Sequence, residues 1–175
     1  IILAGLDRII GNTILSNSGL AINSHTGDIA YAAGCVIVIY NPKQNKQVKF
    51  LMGKKNKAIG SLSFSPNGKY LAAGEVNPPN NRKLFSFLTL AFYKPQVGYQ
   101  PLVLVFELAT KQVVAELKGH KFGISCVQFS PNSKLLCSVG FEHDGLINVW
   151  EWRSNTLVCG SKVTSKVIAW LIICL

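Results

Sequence analysis

Between Leu117 and Trp152 the chain sets three short apolar runs around two tight turns, a pattern that few folds accept. Ile124 to Phe129 alternates around Cys126, Val127 and Gln128, which suits a strand buried on one or both faces. Ser130-Pro131-Asn132-Ser133 is turn chemistry, because proline presets φ and asparagine tolerates the left-handed region. Leu135 to Val139 is a second run. Glu142-His143-Asp144-Gly145 is a second turn, and its Asp-Gly pair is a strong hairpin signal. Leu146 to Trp150 is a third strand, with Asn148 among apolar neighbours. Short strands joined this closely make an antiparallel meander.

The polar residues of this stretch fall at telling places. Gly119-His120 precedes the first strand, Ser138 lies on the second, Asp144 sits in the following turn and Trp150 lies on the third. Together they resemble a WD repeat, the blade unit of a β-propeller. The resemblance implies that His120, Ser138, Asp144 and Trp150 form a hydrogen-bonded chain across one blade. A partly buried Asp and His are costly unless each is paired, and a closed network fixes one strand register. Glu151 stands where the family usually carries Asp. His, Ser and Asp are also the residue types of a nucleophilic triad. Ser138 lies mid-strand without a Gly-x-Ser-x-Gly elbow, so its hydroxyl is expected to be buried. The tetrad is read as structural, and no catalytic residue is assigned.

The rest of the chain repeats the pattern without its full signature. Ser18 to Ile22, Asp28 to Ala33, Cys35 to Tyr40 and Val48 to Met52 read as four strands. Ile59 to Phe64, Tyr70 to Ala73, Val103 to Phe106 and Val113 to Leu117 read as four more. Ser65-Pro66-Asn67-Gly68 repeats the turn at Ser130, and Ser154 to Thr164 gives an outer strand to the last set. Ala32-Ala33-Gly34 and Ala72-Ala73-Gly74 are 40 residues apart, whereas Phe64 and Phe129 are 65 apart. A blade spans roughly 40–45 residues. The predicted fold is therefore all-β: a partial propeller of about three four-stranded antiparallel blades and the start of a fourth. The blades run 13–53, 54–119 and 120–165, with an insertion at 76–100 in the second and a further blade beginning at 166–175.

Within the insertion, Leu84 to Tyr93 is strongly apolar where a short turn belongs. It reads as an extra strand or helix on the blade edge, as a docking loop, or as translated intron, with the last favoured. Closed propellers need four to eight blades. The sequence is accordingly read as part of a longer propeller protein, one that aggregates or oligomerises when purified alone.

Composition narrows the function classes. Of 175 residues 49% are hydrophobic and 15% charged, which excludes a disordered chain. The apolar runs at 29–40 and 84–93 are too short to span a bilayer. The N-terminus lacks the features of a signal peptide. Five cysteines without a C-x-x-C pair point to buried reduced thiols rather than a zinc site, so no metal and no cofactor is assigned. No Gly-rich loop opens a helix, which leaves nucleotide binding without footing. A net charge of +10 suggests acidic partners, set against a merely solvated basic surface.

Three segments carry a closer likeness: Thr26 to Gln47, Ser61 to Glu75, and the stretch ending Gly140 to Trp152. With Ala33-Gly34-Cys35-Val36, Gly119-His120-Lys121 and Asn148-Val149-Trp150, they resemble the N-terminal propeller of the mitogen-activated protein kinase-binding protein family, which includes the microcephaly-linked spindle-pole scaffold. The resemblance implies a non-catalytic cytoplasmic scaffold with partners in stress-kinase pathways and at spindle poles or cilia. It implies no membrane association, and it leaves an oligomeric full-length form open. A ubiquitin-ligase-type substrate receptor and a basic nucleic-acid-binding propeller are the alternatives. The candidate partner-binding residues are Lys43, Lys46, Lys54, Lys55 and Lys57, which divide between opposite rims of a blade, and His143 in its exposed turn. No interleaved aromatics support single-strand nucleic-acid binding.

Overall fold

The computed structural model describes residues 8–14, 16–76 and 100–162. Among these, twelve strands form three four-stranded antiparallel sheets, and the one helical element is a 3-10 turn at Asn17–Gly19. The first sheet is β1 (Leu20–Ile22), β2 (Ile29–Ala33), β3 (Val36–Asn41) and β4 (Lys46–Met52). The second is β5 (Ala58–Phe64), β6 (Tyr70–Val76), β7 (Leu102–Glu107) and β8 (Gln112–Lys118). The third is β9 (Ile124–Phe129), β10 (Leu135–Gly140), β11 (Leu146–Glu151) and β12 (Thr156–Lys162). Strands pair in chain order within every sheet, as an up-and-down meander requires. The fold is thus the predicted one, three blade-like sheets of a partial WD propeller. The readings of 1–7, of the apolar run at 84–93 and of a further blade from 166 fall outside the described residues.

The repeat is visible in backbone detail. Ser65 and Ser130 each accept the amide of the residue five positions on, Tyr70 and Leu135, through Oγ at 2.9 Å. Asn67 and Asn132 each take the following amide but one, at 3.1 and 3.0 Å. Gly68 and Ser133 then adopt positive φ, +66° and +57°. Serine carries a Cβ penalty there that glycine escapes. In all three sheets the third and fourth strands slip register just before Tyr40, Phe106 and Trp150.

Apolar side chains fill the two spaces between sheets. Ile37, Ile39 and Leu51 of the first sheet meet Leu71, Leu104 and Phe106 of the second. Val103, Val105 and Leu117 on the opposite face of the second sheet meet Val127, Leu136 and Trp150 of the third. β7 therefore sends alternate residues into two cores, and its first five residues are all buried. Each such side chain contributes about 1.5–3 kcal/mol relative to exposure. β6 runs on through Glu75 to Val76, beyond the Ala73 expected from sequence. β12 is exposed along its whole length. The first strands converge: β5 lies against both β1 and β9. Ser18 Oγ, just ahead of β1, donates to the carbonyl of Ser125 in β9 at 2.8 Å.

Candidate functional site

The third sheet brings His120, Ser138, Asp144 and Trp150 together. His120 Nδ1 lies 3.0 Å from Asp144 Oδ2, and its Nε2 lies 2.8 Å from Ser138 Oγ. Trp150 Nε1 donates to the same Ser138 oxygen at 2.8 Å. One proton arrangement satisfies all four groups. Nδ1–H donates to the carboxylate, Ser138 O–H donates to Nε2, and the indole N–H donates to the hydroxyl oxygen. Asp144 Oδ2 also accepts the backbone N–H of Lys121 at 3.0 Å.

Local sequence explains the assembly. Ser138 faces Asn148 across β10 and β11, and Leu136 faces Trp150, so one register sets both partners. Gly145 closes the turn at φ +55°, and Asp144 N–H bonds the carbonyl of Phe141 at 2.8 Å. At Gly119 a Cβ would lie 2.7 Å from Trp150 Cη2, so only glycine fits beside the indole. Ser, His and Asp stand in the connectivity of a triad. Yet Ser138 is wholly buried and its oxygen already holds the Trp150 N–H, so no carbonyl carbon has a path to it. The arrangement ties β10 and β11 to the loop that follows β8 and to the turn between them.

The second sheet solves the same problem with other residues. The matching turns at Ser65 and Ser130 set Ala73 level with Ser138, Phe106 level with Trp150 and Glu75 level with Gly140. A Cβ on Gly140 would stand 2.6 Å from Asp144 Oδ2 and 2.8 Å from His120 Nδ1. In the second sheet the Glu75 side chain grows from that level. Lys57 Nζ reaches Glu75 Oε2 at 3.2 Å, with both side chains buried, and Glu75 Oε2 accepts the Leu102 N–H at 2.9 Å. Lys57 also donates to the carbonyl of Gln100. Burial pushes the Glu75 carboxyl up, outweighing the Leu102 N–H and the Lys57 charge that hold it down.

The pair corrects one expectation. Lys57 is no rim contact: it is buried because its ammonium neutralises Glu75 inside the blade. Sequence reading missed Glu75, whose signal was an acid inside the apolar run Leu71 to Val76. The remaining candidates are exposed. Lys43 and Lys46 flank the β3–β4 turn, and Lys54 and Lys55 follow β4. Lys54 pairs with Glu116 at 2.9 Å. His143 packs edge-on to Phe122, ring centroids 6.1 Å apart. Three thiols lie on the third sheet: Cys126, Cys137 and the exposed Cys159. Burial, reinforced by Cys126 and Cys159, pushes Cys137 up to about 11.

Comparison with known proteins agrees with this geometry. The family described as WD domain, G-beta repeat matches residues 45–77 and 111–151. WD repeat-containing protein 62 of Sus scrofa is 39% identical over 164 residues, 94% of this chain. Mitogen-activated protein kinase-binding protein 1 of Homo sapiens is also 39% identical over 94% of the chain. Cilia- and flagella-associated protein 52 of Homo sapiens is 28% identical over 89%. The chain spans 9% of the length of the first two relatives and 22% of the third. Two matched repeats, three blade-like sheets and a completed His120–Ser138–Asp144–Trp150 network converge: the chain carries WD40 repeats and is similar to WD repeat-containing protein 62 and mitogen-activated protein kinase-binding protein 1.

Proposed function

We propose that the chain is a non-catalytic protein-interaction module of a cytoplasmic scaffold. The observation that carries this reading is where its reactive side chains go. The His, Ser and Asp of the third sheet are consumed in a buried network, while exposed turns bearing lysine crown the sheets. WD40 repeats support a protein-interaction scaffold in general. One relative's name states that it binds a mitogen-activated protein kinase, which supports kinase-pathway proteins as partners here. Association with the cytoskeleton of cilia fits the name of the cilia- and flagella-associated relative, and spindle poles are proposed from the sequence resemblance alone. Lys43, Lys46, Lys54, Lys55 and His143 are the proposed contact residues.

The test is equilibrium binding of the purified chain to a panel of purified mitogen-activated protein kinases and their activating kinases. Saturable binding to at least one, weakened by charge reversal at Lys43, Lys46, Lys54 and Lys55, is the expected result. Absence of binding across the panel, or turnover of a substrate by the chain, overturns it.

A further inference from the structure

The two rims of the sheets handle charge differently. On the rim of the β2–β3 and β4–β5 connections, acids meet cations: Glu116 with Lys54 and Glu75 with Lys57. The opposite rim is built from the first and third turns of each sheet. Its carboxylates bond to neutral groups instead. Asp28 accepts from Asn41 Nδ2 and Thr26 Oγ1, both at 2.7 Å. Glu107 accepts from Thr110 Oγ1 at 2.8 Å, and Glu151 from Ser154 Oγ at 2.9 Å. The cations of that rim are Lys43 and Lys46 of the first sheet, Lys69 and Lys111 of the second, and Lys134 and Arg153 of the third, with Arg8 beside the first. All seven are exposed, and among the described residues none takes part in an ion pair.

Hydrogen bonds tie the first sheet to turns of the second on this rim. His25 Nε2 lies 2.7 Å from the Pro66 carbonyl, and Asn23 Nδ2 donates to the Gly68 carbonyl at 3.1 Å. Lys49 Nζ donates to the Leu108 carbonyl at 2.8 Å, joining β4 to the third turn of the second sheet. At one end Arg8, Tyr40, Asn45, Lys46 and Gln47 line a cleft. The Gln47 amide already grips a backbone there, with its Oε1 taking the Ile9 N–H and its Nε2 donating to the Ile9 carbonyl, both at 2.8 Å. Like charges held on a rigid frame raise the potential and spend little entropy on binding.

We infer that this rim docks an acidic polypeptide segment, with an Asp or Glu of that segment seated in the cleft between Arg8 and Lys46. The inference rests on the scaffold reading above and names its surface and partner chemistry. A polypeptide fits better than a nucleic acid. Of the aromatic rings at this rim, Tyr70 and Trp152 are covered by the Arg153 guanidinium at 5.2 and 4.5 Å, and Tyr40 in the cleft is held by its hydroxyl to Asn45, so one ring stands where stacked bases would need a run of them.

The test is fluorescence anisotropy of the intact chain with a labelled oligo-glutamate peptide, an oligo-serine peptide and a single-stranded oligo-uridine of matched charge. Binding of oligo-glutamate that weakens with salt is expected. Loss of two charge-assisted contacts in R8E/K46E should weaken it by roughly tenfold or more. K118E/K162E, on the opposite rim, should leave it unchanged. R8Q/K46Q, which adds no repulsion, should fall between wild type and R8E/K46E and guards against misfolding of the reversed variant. Equal loss in K118E/K162E, tighter binding of oligo-uridine, or no binding of oligo-glutamate overturns the inference. Kinase binding that survives R8E/K46E while the peptide fails to bind would sink this surface and leave the scaffold reading standing.

Discussion

Lys57 and Glu75 form a buried ion pair, 3.2 Å from Nζ to Oε2, at the level where the third sheet places Gly140 beside His120 and Asp144. Two neighbouring sheets of one chain thus close the same end with different chemistry. A buried pair is weak evidence of stabilisation by itself, but breaking one leaves an uncompensated charge.

K57M strands the Glu75 carboxylate and is expected to cost about 3–5 kcal/mol, whereas K57M/E75L should recover much of that loss. Urea denaturation of the two variants and wild type checks the ordering. A double variant as unstable as K57M would show that the pair's effect is packing, not charge.

The raised Glu75 carboxyl also sets a pH dependence. Because the folded state holds this proton more tightly than the unfolded chain, its contribution is fully present below the ordinary glutamate range. It is lost as pH rises through the raised folded value. Wild type should therefore gain on E75Q as pH falls from neutral through that window, and the gain should level off in the ordinary range. Urea midpoints of both proteins across pH measure the difference, with other titrations cancelling. A flat difference removes the claim.

Ser138 serves His120 and Trp150 at once, both at 2.8 Å. S138A leaves the indole N–H without its acceptor, an expected loss of about 1–3 kcal/mol. W150F discards the donor as well, so the double variant S138A/W150F should be less destabilised than the sum of the singles. Additive losses in denaturation would mean that the network is not coupled.

G140A introduces the methyl that the third sheet has no room for, 2.6 Å from Asp144 Oδ2. An overpacking cost of about 1–3 kcal/mol is expected. The loss should shrink in an H120A/D144A background, where the obstructing groups are gone. Equal losses in both backgrounds would place the strain elsewhere.

Thiol reactivity should follow exposure. In a C174S background at mildly alkaline pH, exposed Cys159 is expected to react first with a thiol reagent, and Cys137, pushed up to about 11, far more slowly. C159S should remove the fast phase, which mass spectrometry of the labelled chain would show.

The sheets were legible because two-residue alternation and turn chemistry act locally. Ile124 to Phe129, Leu135 to Val139 and Leu146 to Trp150 all lie within observed strands, and Ser65-Pro66-Asn67-Gly68 forms the same turn as its copy at Ser130. The network was legible because its four members keep a fixed spacing around those strands. The role of Lys57 was not, since an exposed lysine and a buried one read alike until its partner is known. That partner, Glu75, lies on the adjacent strand β6, two residues past the Ala73 at which the sequence reading ended that strand. The placing of Lys43 and Lys46 on one rim and Lys54 and Lys55 on the other was legible from the strand order read in the sequence, but the acid that Lys54 meets, Glu116, was not.

The bond from Ser18 to the Ser125 carbonyl spans 107 positions of chain. Contacts so distant in sequence slow folding, because a long loop must close before they give anything back. The inner corner of the first sheet cannot settle until β9 is in place, so its native surroundings are completed by a strand made two sheets later. During synthesis the apolar face of that early sheet is covered once β6 and β7 follow, but its inner corner stays open until the third sheet begins.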